Sequence, residues 1–296
     1  EPVGMLHHPA AVDAHVIGHH VAGQANAPLP GAVAQVAVGL LAAEVAGDDV
    51  VVQAVGRGHR VVVAHALQVG VEARRFFLHQ GVLLDELLDP RTLYLPPEKK
   101  EMQTGLRQRM AQTPLDDLEY QIEQLCIFKQ INVLRVATAD VTGTLPLMRV
   151  SDYLSEIAES ILSEVVDLAW NHLVAKHGRP VCRLGHKNTN QGFVVIAYGK
   201  LGGLELGYGS DLDLVFLHAG THEPTQGGEK AIDSAQFFNR IGQRVIHILT
   251  SHTRAGKAYE IDMRLRPSGS SGILVSHIEG FRDYQLHEAW TWEHQA

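Results

Sequence analysis

Cysteine is nearly absent from this chain of 296 residues, where only Cys126 and Cys182 occur. Two thiols cannot build a disulfide framework or a four-ligand zinc site, and both stand beside apolar residues, as buried free thiols do. No run of about 18 apolar residues is present, so no transmembrane helix is expected. The N-terminus lacks a basic start followed by an apolar core, which argues against a secretory signal and leaves a reducing cytoplasm as the default. An excess of positive charge is also missing. The formal net charge of −8 argues against a protein that binds nucleic acid by neutralising phosphates along a backbone. It leaves nucleotide binding open, which needs only a local cluster of donors and a metal. What remains, 45% hydrophobic and 20% charged residues, is the balance of a soluble globular protein with material for one large domain or two ordinary ones.

Further absences divide the chain. Residues 1 to about 80 hold no Lys, Ser, Thr, Tyr, Trp or Cys, yet carry eight of the 18 histidines and an excess of Val, Ala and Gly. Val50–Val52 and Val61–Val63 have strand propensity, but turn chemistry does not bound them. His15, His19 and His20 invite a metal reading; no acid or cysteine converges on them, which counts against it. The composition matches GC-rich codons read from the opposite strand, and the hypothesis is that residues 1–82 are a non-native, poorly ordered segment. A genomic read giving one continuous natural frame through this region would sink it.

From Leu83 onward ordinary patterning returns. Leu83–Asp89 before Pro90 reads as a short helix, and Pro97–Ala111 as a second. Pro114 and Asp116 can open a third helix, whose apolar positions Leu118, Ile122, Leu125, Phe128, Val133 and Val136 recur at three- and four-residue spacings. A fourth is expected from Ser151 or Asp152 as N-cap to His177, stopped by Gly178 and Pro180. Residues 83–180 are thus expected to form a helical subdomain. The rhythm then changes: strands are predicted at Gly192–Tyr198, Asp211–Leu217 and Lys257–Met263, with a helix over 230–252. Residues 181–296 therefore read as an α/β unit with acids at strand ends.

Asp211 and Asp213 are two residues apart on a predicted strand, so both side chains leave one face. Crowded carboxylates repel unless a cation neutralises them, and hard oxygen ligands of this kind suit Mg²⁺. Asp262, on the later strand, can reach the same point, and three such acids are the ligand set of a two-metal site. Upstream, Gly199-Lys200 opens a glycine-rich connection whose backbone N–H groups can approach a phosphate, with a short helix expected near Gly202 or Gly203. It is neither a Walker A loop nor a dinucleotide fingerprint. Arg264, Arg266 and Lys257 flank Asp262 and could bind phosphates or stabilise developing charge.

Three stretches carry a resemblance. Gly199–Tyr208 with Ser210-Asp211-Leu212-Asp213-Leu214, Tyr259–Gly269, and the ends Leu83–Tyr94 and Glu288–Gln295 resemble the bifunctional glutamine-synthetase adenylyltransferases, over about 83–296. The resemblance implies an α+β fold: a polymerase-β-like nucleotidyltransferase core with a short mixed sheet, preceded by the helical subdomain. It implies Mg²⁺-dependent transfer of AMP from ATP to a tyrosine of glutamine synthetase, since the tail resembles the adenylylating half. The reverse, phosphorolytic removal of AMP, and a fragment that only binds glutamine synthetase or the PII signalling protein are the alternatives. By the same resemblance Asp211, Asp213 and Asp262 hold the metals, and Gly199, Lys200, Gly202 and Ser210 line the triphosphate side. Neither a nucleic acid nor a membrane is expected as partner. The other half of such enzymes is expected to be missing, and the chain to stop short of the family's C-terminal helical bundle.

Overall fold

The computed structural model describes residues 96–114, 116–185, 187–189, 192–291 and 293. The valine-rich strands and histidines of residues 1–82, and the helix expected at Leu83–Asp89, lie outside the described residues.

Three helices lead. Helix α1, Lys99–Ala111, buries Met102, Leu106 and Met110, each four residues apart and so stacked on one face. Helix α2, Leu118–Val141, begins one residue after Asp117, whose carboxylate accepts the Tyr120 N–H at 2.9 Å. The capping chemistry is of the expected kind, at Asp117 rather than Asp116. Helix α3, Leu147–His177, starts before the predicted Ser151. Pro146 sits in extended backbone with φ fixed near the helical value, and its carbonyl accepts the first helical N–H, from Arg149 at 2.9 Å. Asp152, read from sequence as a cap, instead pairs with Arg149 at 3.1 Å inside the helix. The end is as predicted: Gly178 takes φ +80° and the chain leaves α3 there.

Two short ladders follow, β1 (Gly178–Arg179) with β6 (Gln226–Gly227), and β2 (Arg183–Leu184) with β3 (Lys187–Asn188). The main sheet is mixed. Strand β4, Phe193–Tyr198, pairs antiparallel with β5, Leu212–His218, from Phe193↔His218 to Tyr198↔Asp213. On the other edge of β5 lie two parallel partners in succession, β7 (Ile261–Asp262) and β8 (Val275–His277). Between β4 and β5 the four-residue helix α4 runs Gly199–Gly202, opening at Gly199 rather than near Gly202 or Gly203. Helix α5, Ser234–Thr250, is capped by Asp233, which accepts the Gln236 N–H at 3.1 Å. Helix α6, Ile278–His287, closes the described order. These mixed helices around a small mixed sheet make the fold α+β.

The predicted strand at Lys257–Met263 contracts to two residues for a long-range reason. The segment that leads into it is drawn onto α2, where the Gln130 amide donates to the Ala255 carbonyl at 2.7 Å. The Lys129 ammonium lies 4.3 Å from the centre of the buried Tyr259 ring, within the first half of the predicted strand. One core runs through both halves of the described chain. Strand β5 buries Leu212 and Leu214–Leu217, α5 lays Phe237, Phe238, Ile241 and Val245 against it, and Trp170 of α3 meets the Phe237 ring edge-on at 5.6 Å. Cys126 and Cys182 are free and buried, as expected, and burial pushes the Cys126 thiol up to about 11. Among the described residues no helix is long and apolar enough to cross a membrane.

Candidate active site

The acids converge where β5 begins. Asp211 is the last residue before the strand and is exposed, Leu212 is buried on the opposite side, and Asp213 is half-buried. Strand alternation therefore points Asp211 and Asp213 the same way. Asp213 is also the register partner of Asp262 on the parallel strand β7, and partners in register share a face. The three carboxylates meet electrostatically: burial first, then the charges of Asp211 and Asp262, hold the Asp213 carboxyl above the usual carboxylate range, while Arg264 and Lys200 pull it back. Asp262 is shifted the other way, chiefly by the Arg264 guanidinium. Arg264 donates its backbone N–H to Oδ1 at 2.8 Å and its Nε–H to Oδ2 at 2.6 Å, and its terminal nitrogen is paired with the same Oδ2.

The glycine turn is fitted to this cluster. Gly199 has φ +56°, a left-handed conformation, and a Cβ there would lie closer than 3.0 Å to Oδ2 of Asp213. Gly202 is needed for a different reason. Its Cβ would meet the Ala197 carbonyl oxygen at 2.6 Å, a backbone atom of β4 that cannot swing aside. Lys200 is exposed on α4, where its charge reaches Asp213. The Ser210 hydroxyl accepts the Gly207 N–H at 3.3 Å and so braces the turn that delivers Asp211.

Two of the basic residues expected at phosphates are otherwise engaged. Arg266 donates Nη1–H to the Met263 carbonyl at 2.8 Å, Nη2–H to Ser270 at 2.9 Å and Nε–H to Gly272 at 3.4 Å, which makes it a clamp on the loop 263–272. Lys257 is paired with Glu260. The sequence also left unread a tether on the glycine connection. The Tyr208 hydroxyl donates to Asp140 of α2 at 3.1 Å; Tyr208 closes the glycine-rich stretch, but its partner lies 68 residues earlier on a helix with no motif.

The donors present are hard carboxylate oxygens, the kind that Mg²⁺ takes two at a time with phosphate and water. Asp211 and Asp213 offer such a pair, and their negative charge is offset by Lys200 and Arg264 beside them. Among the described residues no group of three or more His, Cys, Asp or Glu side chains is gathered as a metal-holding cluster, and Asp262 is held by Arg264.

Acids on adjacent strands beside a glycine turn set hard oxygen ligands next to backbone N–H donors. A family model described as glutamate-ammonia ligase adenylyltransferase matches residues 71–296, and the chain belongs to that family. The match begins at residue 71, ahead of Leu83, where the sequence resemblance was drawn. Among curated proteins, the bifunctional glutamine synthetase adenylyltransferase/adenylyl-removing enzyme of Pseudomonas putida is 55% identical over 215 residues, 73% of this chain. Those of Thioalkalivibrio sulfidiphilus and Hahella chejuensis are 52% and 54% identical over similar spans. The chain spans 22% of the length of each of these relatives.

Proposed function

We propose that this chain carries a nucleotidyl-transfer site that moves AMP from ATP to a tyrosine of glutamine synthetase. The observation that carries the proposal is the convergence of Asp211, Asp213 and Asp262 at the start of β5, with Gly199 against the Asp213 carboxylate. The sheet β4-β5-β7 is read as a polymerase-β-like core, residues 181–296 as the catalytic segment and residues 83–180 as its helical support.

In this scheme Asp211 and Asp213 hold Mg²⁺, which when bound neutralises the triphosphate and sharpens the electrophilic phosphorus. The Gly199 turn and Lys200 orient the phosphate chain. The tyrosyl oxygen forms a bond to the α-phosphorus, and the bond from that phosphorus to the pyrophosphate oxygen breaks. Asp262, released by Arg264, takes the hydroxyl proton, and the freed guanidinium faces the departing negative charge. A cytoplasmic setting, where ATP and glutamine synthetase meet, belongs to the same proposal, as does docking of the PII protein on the helical segment.

The printed name of the relatives includes adenylyl removal, which is the reverse chemistry on the same carboxylates. Incubation with α-labelled ATP, Mg²⁺ and unmodified glutamine synthetase distinguishes the directions. Label on the synthetase supports adenylylation. No label, together with phosphate-dependent release of ADP from adenylylated synthetase, supports removal. Neither reaction, with the synthetase still retained in a pull-down, leaves a docking fragment.

A further inference from the structure

On the far side of the α3–α5 pair lies a second group of charges that takes no part in the site above. Helix α5 turns Phe237, Phe238, Ile241, Val245 and Ile248 toward the core, so Arg240, Arg244 and His247 project from its other face. The last turns of α3 bring Lys176 and His172 opposite them, and the result is a groove of about 350 Å³. Roughly 30 Å³ is the share of one liquid water, so the groove has room for an anion the size of pyrophosphate.

Three permanent cations line this groove and no acidic residue does. Among the described residues none of Lys176, Arg240 and Arg244 is paired with a carboxylate. Like charges crowded into a concave, partly desolvated wall repel one another and focus a positive potential outward. The repulsion reaches His172, whose imidazole is held below its ordinary range by burial and then by Arg244 and Lys176.

The groove is also built rather than casual. Its floor is His177, only 1% exposed, with both ring nitrogens engaged. Nδ1 lies 2.8 Å from the Lys230 carbonyl, which can only accept, so Nδ1 carries the proton. Nε2 is then left with a lone pair, which accepts from Nη1 of Arg240 at 3.0 Å. The ring thereby fixes the direction of the Arg240 guanidinium while cancelling none of its charge. An arginine oriented by a neutral buried acceptor keeps donors free, the condition for gripping a tetrahedral oxyanion.

We propose that the groove between α3 and α5 binds a small phosphate-bearing anion, seated on Lys176, Arg240 and Arg244. Arg240 is the preset fork, Arg244 and Lys176 close on the anion from the two helices, and His172 and His247 border it.

Pyrophosphate is the probe, titrated into the full chain with EDTA present, so that binding does not depend on the metal of the proposed catalytic site. The His C2–H proton resonances report occupancy. The expected result is saturable movement of the His172 and His247 signals in the parent chain and at least tenfold weaker binding in the Arg240→Ala/Arg244→Ala variant. Lys200→Ala, at the glycine turn, should titrate like the parent. Wild-type affinity in the double variant, or loss of the movement in Lys200→Ala, would overturn the proposal. Lys176→Ala changes an exposed helix position. It provides a variant that folds if the double one does not, with binding expected to fall several-fold and unchanged affinity counting against the site.

Discussion

Replacing Gly199 with alanine tests whether the glycine turn exists to let Asp213 stand where it does. Two costs follow from the geometry. The backbone at φ +56° is left-handed, which disfavours a residue with a Cβ by about 1–2 kcal/mol. The new methyl also intrudes on Oδ2 of Asp213, inside 3.0 Å. That oxygen ends a side chain and can rotate away, so this clash costs little stability and instead displaces the carboxylate. The melting temperature should therefore fall by only a few degrees, since about 2–4 °C per kcal/mol is usual at this size. Transfer of label to glutamine synthetase should fall about a hundredfold, the scale set by roughly 1 Å of misplacement at a reacting centre. Gly203→Ala is the internal control. Its φ is −85° and the nearest atom to an added Cβ is 3.5 Å away, so both stability and transfer should be retained. Should Gly199→Ala transfer AMP within about threefold of the parent, the fit between the glycine turn and Asp213 would have no bearing on catalysis.

Asp213→Asn should abolish transfer while leaving the melting temperature unchanged or raised, because it removes a half-buried carboxylate repelled by Asp211 and Asp262; unaltered turnover would defeat the metal assignment. Phe238→Ala empties a fully buried site stacked on Phe193 and His218, and should cost about 3–5 kcal/mol in urea unfolding; a loss below about 1 kcal/mol would mean this core repacks. The His218 imidazole, buried on Phe238 and facing His277, is lowered from 6.5 to about 4, so the folded chain refuses a proton that the unfolded chain accepts. Stability should fall as the pH drops from about 6.5 and level off below about 4, on the order of 2 kcal/mol in all. His218→Gln, which can still accept the Gly220 N–H, should lose that part of the slope; an unchanged slope would assign it to other groups.

The candidate cluster could be read from sequence because its residues are local. Gly199, Lys200, Asp211 and Asp213 fall within one strand–turn–strand unit, and Asp262 announces itself by its flanking arginines. The roles of those arginines were not legible. Arg266 is satisfied by carbonyls of a loop whose path no pattern specifies, and Arg264 folds back onto Asp262. Helix α3 begins early because Pro146 presets the backbone, whereas Ser151-Asp152 carries the stronger capping signature. Strand β8 is three residues long, too short for alternation to register. The basic groove was invisible for another reason. Its residues come from two helices far apart in sequence, and only the α3–α5 packing assembles them.

Two side-chain hydrogen bonds tie helix α2 to the segments that flank the site: Gln130 holds the one before Asp262, and Asp140 the one before Asp211. Ten residues of α-helix set those grips about 15 Å apart on one stiff rod. The helix is thus a length gauge for the mouth of the site, and gauges fail differently from surfaces. Exchanging solvent-facing side chains between the grips leaves the spacing alone. Removing a single residue from that stretch shortens it by about 1.5 Å and turns Asp140 by about 100°, away from Tyr208. Homologous sequences should accordingly vary at the solvent-facing positions of 131–139, keep the buried Ile131, Val136 and Ala139 small or apolar, and hold the number of residues constant.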